Sequence, residues 1–188
     1  MSSALPFFVR IADFIDTINK KVGHAVAWLA LSMAVITFTV ATLRYGFSLG
    51  WVWFQETYVW MHGAIIMLAM AYTLMVGGHV RVDIFYRSAS VRYRALVDLF
   101  GTILLLLPSL YVVAKYTIPY VLLSWSRLEV SQEAGGLPGL YLFKTTMLAF
   151  FILLFLQAIA IIIRSSTALV TGEYAEDSGE DFEGGQGG

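Results

Sequence analysis

The sequence predicts an all-α integral membrane protein, with four transmembrane helices plus an N-terminal amphipathic interfacial helix, and three observations predict it. Of its 188 residues, 59% are hydrophobic and only 13% charged, with a mean hydropathy of +0.74; a soluble domain has about 45–50% apolar and about 25% charged residues. Four windows long enough to cross a hydrocarbon core about 30 Å thick are almost free of charge. Lysine and arginine cluster on alternate flanks of those windows.

The first segment, residues 1–21, has its own pattern. Phe7, Phe8, Ile11, Phe14, Ile15 and Ile18 share one helical arc, while Arg10, Asp13, Asp16, Thr17 and Lys20 take the other side. This reads as a helix lying along the cytoplasmic interface, a membrane anchor or a docking arm for a partner. No uninterrupted apolar stretch or small-residue cleavage site marks a signal peptide there, so the first span is expected to remain in the mature protein.

The membrane domain, residues 22–164, holds spans at about 22–43, 55–77, 96–123 and 141–163. Arg10, Lys20, Lys21, Arg81, Arg87, Arg92, Arg94 and Arg164 flank one side, against Arg44, Arg127 and Lys144 on the other. Cytoplasmic flanks carry the excess, so both termini are expected in the cytoplasm, with Trp51, Trp53, Trp125 and Tyr141 at the outer interface. Lys115 is set inside the third span, near enough to its end for the amine to reach headgroups. Gly63, Gly101, Ala27, Ala30 and Ala34 read as places of close helix packing. The second helical pair does not repeat the first.

Residues 165–188 form an acidic, glycine-rich tail, expected to be disordered from Gly172 onward because it has too little apolar surface to offset ordering. Its six acids, removed from a net charge of −1, leave +5 for the rest of the chain. Absence of cysteine excludes disulfides, thiolate metal sites and cysteine catalysis.

With so few charges, each one near a span can be weighed. Arg44 closes span one and Glu56 opens span two at the same outer depth, which suggests an ion pair between them. Pro108 and Pro119 predict a bent third span. Between spans three and four, Arg127, Glu129 and Glu133 precede Gly135, Gly136 and Pro138, a tight connector that could also dock a partner. On the inner side His79, Arg81 and Asp83 alternate with Val80, Val82 and Ile84, a local network or, less simply, an ion relay. His24, His62 and His79 raise a membrane haem protein as an alternative, with His24 and His79 at inner ends. No nucleophile with its base, phosphate loop or metal-ligand cluster is present, so neither an enzyme nor a resident cofactor is expected.

The combination of Arg44-Tyr45, Trp53-Phe54-Gln55-Glu56, Gly78-His79-Val80-Arg81-Val82-Asp83 and Ser131-Gln132-Glu133-Ala134-Gly135-Gly136-Leu137-Pro138, in that order on a four-span frame, resembles the small, DctQ-like membrane subunit of tripartite ATP-independent periplasmic (TRAP) transporters. The likeness runs from about Phe8 to Arg164 and includes Lys144 and Gln157. It implies a scaffold subunit in the bacterial inner membrane, beside a large elevator-type permease subunit and a periplasmic substrate-binding protein, with lipid around it and no nucleic-acid partner. Sodium is expected on the permease and not on this chain, and the implied substrate is an organic acid or similar solute, with compatible solutes and sugar acids as alternatives. Arg44, Glu56, His79, Arg81, Asp83 and the Gly135-Gly136-Leu137-Pro138 turn then hold shape and partner surfaces. A self-sufficient homo-oligomeric carrier using Glu56 is the competing reading.

Overall fold

A computed structural model describes residues 5–78 and 89–173, with side chains from residue 7 onward. Four helices, α1 (Leu5–Phe47), α2 (Val52–Met75), α3 (Val91–Ser126) and α4 (Leu140–Thr171), are each long and apolar enough to span a bilayer. No strand occurs among the described residues. His79, Arg81, Asp83 and the tail from residue 174 lie outside them.

The amphipathic N-terminal segment is helical and runs without a break into the first span, the two forming one helix of 43 residues, about 65 Å long at about 1.5 Å per residue. Nothing at residues 20–22 breaks it, since Lys20, Lys21 and Val22 all propagate a helix. Gly23, the only weak helix former there, serves packing instead. A Cβ at Gly23 would sit 2.5 Å from the Tyr72 ring, so glycine lets α1 and α2 approach closely.

Ends are set by local chemistry. Gly77, at φ +65, follows α2 in the left-handed region, and the Gly78 N–H reaches back to the Thr73 carbonyl at 2.8 Å, a Schellman closure. Ser90 caps α3 by accepting the Tyr93 N–H at 3.3 Å. Gly139 (φ +93) opens α4 and Gly172 (φ +80) ends it, each in a conformation disfavoured for other residues.

Within α3 the residues Thr102–Leu106 form a π-helical turn, and the Leu107 N–H bonds the Thr102 carbonyl five residues back. Pro108 follows at once. Its ring cannot donate to the carbonyl four residues earlier and crowds it, and the wider turn relieves that conflict. The proline therefore marks a local rewinding of the span.

The centre of the bundle is α4, which packs against all three other helices, while α1 and α2 pack on each other and α3 is attached chiefly through α4. Ala71, Leu110 and Leu154 bring α2, α3 and α4 together at mid-height. Gly63 admits the Phe143 ring, which a Cβ would meet at 2.6 Å, and Trp60 stacks on the same ring. Among the described residues nothing lies near the Cβ position of Gly101, and Ala27 and Ala34 face outward, so these three do not mediate close packing between the described helices.

Near its start α1 runs antiparallel along the second half of α4, burying Ala12 and Ile15 against Ala160. The helix α4 continues to Thr171, so residues 165–171, assigned above to the tail, are helical, with Ser165 and Ala168 buried. Their small side chains extend the packed face beyond Arg164, and Gly172 supplies the stop.

Candidate functional site

Polar side chains gather in two knots, one at each end of the bundle. The outer knot is built on Glu56, in the second turn of α2. Its carboxylate accepts the Ser131 hydroxyl through one oxygen and the Leu137 backbone N–H, at 2.6 Å, through the other. The loop also closes on itself. Ser131 donates its N–H to the Leu137 carbonyl at 3.1 Å, Gly136 donates to Glu133 at 2.9 Å, and the Ser131 hydroxyl accepts the Glu133 N–H at 3.1 Å.

The two glycines have different jobs. Gly135 turns the chain at φ +77. Gly136 makes room, because a Cβ there would lie 2.5 Å from the Glu56 carboxylate and 2.5 Å from the Ser131 hydroxyl.

This geometry overturns the proposed Arg44–Glu56 ion pair. Both carboxylate oxygens serve the loop, whose half-buried amide at Leu137 requires an acceptor. Arg44 is exposed, and among the described residues no ion pair joins it to Glu56.

A second tie fastens the same loop to α4. Lys144 is only 7% exposed, and its ammonium lies 2.5 Å from the Glu129 carboxylate and 4.0 Å from the centre of the Tyr120 ring. The Lys144 hydrogen bond holds the Glu129 carboxyl below the usual carboxylate range. Trp125 donates its indole N–H to Thr145 at 2.9 Å and packs edge-on against Tyr141. The loop is thus anchored to α2, α3 and α4 at once, with Arg127, Leu128, Val130, Glu133, Gly135 and Pro138 turned outward.

The inner knot joins α1 to α4. Arg164 bridges Asp16 and Asp13, the latter at 2.9 Å; Gln157 donates to Asp16 at 3.1 Å and accepts from Asn19 at 2.6 Å. Asp16, Asn19 and Gln157 are all buried. Asp16 therefore does not sit on a solvent face but is turned to α4, while Asp13 reaches Arg164 from an exposed position. The apolar arc is correspondingly split. Ile15 is buried and Ile11 partly so, whereas Phe7, Phe8 and Phe14 are 62%, 49% and 66% exposed.

Lys115 stands apart from both knots. It is exposed on α3, and its ammonium is 5.8 Å from the centre of the adjoining Tyr116 ring. A lysine left in hydrocarbon at the centre of a helix costs about 2.5–3.5 kcal/mol. His24 packs edge-on against Tyr72, and His62 is exposed. An apolar groove of about 530 Å³ runs between Val22, Val26 and Leu29 of α1, Leu68 of α2, and Ala149 and Leu153 of α4. Among the described residues no cluster of histidine and acidic side chains could hold a metal ion.

The Lys144–Glu129 tie and the Asn19–Gln157–Asp16–Arg164 chain were not predicted as contacts. The signal for them was one lysine and one glutamine inside an otherwise apolar fourth span, since such groups seldom lack partners. What the spacing could not supply was the partner, which for Gln157 lies on the first helix.

A polytopic helical membrane protein, with its buried charges committed to tying helices and loop together, is the class that this fold and these knots define. The chain belongs to the DctQ component family of the tripartite ATP-independent periplasmic transporters, whose family model matches residues 33–168. The comparisons with curated proteins and with solved structures returned no match. It is accordingly a multi-pass inner-membrane subunit of a transporter and not an enzyme, working with a large permease and a periplasmic binding protein. The matched stretch contains the whole outer knot. Of the inner knot it includes Gln157 and Arg164, while Asp13, Asp16 and Asn19 precede it.

Proposed function

We propose that this subunit is a stationary scaffold, against which the large permease subunit moves substrate in an elevator-type cycle driven by sodium. The observation that carries the reading is the use of the carboxylates. Glu56, the acid a self-sufficient carrier would need for coupling, is engaged by Ser131 and Leu137, while Asp16 and Glu129 tie helices and loop together. The apolar lining of the groove between α1, α2 and α4 points the same way, because it offers no polar path for a solute.

The excess of lysine and arginine on the inner flanks supports an arrangement with both termini in the cytoplasm. The outer loop then faces the periplasm, and its fixed shape suits the docking of the binding protein through Arg127, Leu128, Val130 and Glu133. An organic acid is the substrate class proposed for the complex, with sodium and substrate both bound on the permease.

Co-purification and uptake test the scaffold reading together. Tagged small subunit should bring down the large one, and deleting the small subunit should abolish uptake with the other two components present. Normal uptake without it would overturn the proposal.

A further inference from the structure

Between Leu104 and Leu122 the outward row of α3 is apolar except at Lys115 and the Tyr111 hydroxyl. The helix buries Ala95, Thr102, Leu110, Val121 and Ser124 toward the bundle. Leu104, Tyr111, Ile118 and Leu122 are 63%, 68%, 42% and 59% exposed on the opposite side, and Lys115 lies in their row. No hydrogen bond or ion pair reaches Lys115 from the described residues.

Its depth follows from the helix itself. From Arg94, at the inner end, to Trp125, at the outer rim, α3 rises about 46 Å, close to the thickness of a bilayer with its headgroups. Lys115 then lies about 7 Å inside the hydrocarbon edge. Helical side chains leave the backbone tilted toward the N-terminus. With α3 running from the inner to the outer face, the lysine is launched inward, away from the nearer headgroups, so reaching a lipid phosphate requires it to double back.

We infer that Lys115 marks the face on which a transmembrane helix of the large permease subunit docks, and that this helix presents an aspartate or glutamate to the ammonium. Charge complementarity selects that occupant. A carboxylate on a helix lies at the depth where the amine is, and one ionic contact in an apolar seam fixes register and excludes other helices. Leu104, Tyr111, Ile118 and Leu122 supply the surrounding contact.

This inference rests on the scaffold reading, and co-expressed small and large subunits test both separably. Lys115→Met should lower the yield of co-purified large subunit at least tenfold in mild detergent, while Lys115→Arg holds it within twofold. Photoreactive residues at Ile118 and Leu122, in the Lys115 background, should crosslink to the large subunit, and one at Trp28 on the exposed side of α1 should not. Full co-purification of Lys115→Met, or capture of lipid alone from Ile118 and Leu122, overturns the docking face and leaves the scaffold standing. Failure of the unaltered subunit to co-purify removes both. Should Lys115→Met lose its fold, the crosslinks decide alone.

Discussion

The Glu56 carboxylate accepts the backbone N–H of Leu137, 81 positions away in the chain, at 2.6 Å. That bond turns the outer loop from a connector into a part of the helix bundle. Replacing the acid with Gln removes a charged acceptor from a half-buried amide, a change worth about 1.5–3 kcal/mol. Glu56→Gln is therefore expected to speed hydrogen exchange at Leu137 and to expose the loop to protease. Exchanging the charges of Arg44 and Glu56 should give no rescue, since the two are not partners.

Gly136→Ala tests the same contact from the other side. The added methyl would occupy the space of the carboxylate, at 2.5 Å. Its effect on loop exchange should match that of Glu56→Ala. Combining the two should cost little more than either alone, because both break one interaction. Additive losses would show that Gly136 matters for some reason other than Glu56.

The Glu129–Lys144 tie predicts an asymmetry. Glu129→Ala strands a lysine that is only 7% exposed, leaving its charge without its carboxylate partner. Lys144→Met removes the buried charge and leaves Glu129, whose side chain is 29% exposed, free to be hydrated. Thermal unfolding in detergent should therefore fall further for Glu129→Ala than for Lys144→Met.

Acid should loosen the same tie in a predictable window. The Glu129 carboxyl is held below its ordinary value, chiefly by the Lys144 hydrogen bond. Its contribution to stability is thus fully present above the unfolded value, about 4.3. It declines as pH falls below that and is lost once pH passes through the lowered folded value. Glu129→Gln should flatten this part of an unfolding profile recorded between about pH 6 and 3.

For the inner knot, Asp16→Ala leaves Arg164 with Asp13 and frees one donor of Gln157. An effect of about 2–3 kcal/mol is expected, read as faster hydrogen exchange in both the first turns of α1 and the last turns of α4. Exchange that rises in α1 alone would mean that the arm is a simple membrane anchor with no structural grip on α4.

The four spans were legible because hydrocarbon imposes a length and a composition that twenty consecutive residues display openly. The loop signature around Gly135 and Gly136 was legible too, since close turns favour glycine. The identity of what fills the space was not, because Glu56 carries no mark of its partner. The contacts of the arm were less legible, for a physical reason. A periodic apolar arc announces a buried face, yet the face that α1 turns to α4 is Ala12, Ile15, Asp16 and Asn19, in which two small or apolar residues are followed by two polar ones. Pairing engaged those polar groups at long range, and the phenylalanines were left outward. The π-helical turn was foreshadowed only by Pro108, which signals a conflict without saying how the backbone resolves it.

Reconstituted transport is the most direct test of the central claim. Proteoliposomes holding this subunit alone should show no sodium-driven flux of an organic acid. Those with the large subunit and binding protein should accumulate the solute only when the small subunit is also present. Flux through the small subunit alone, abolished by Glu56→Gln, would contradict the scaffold account.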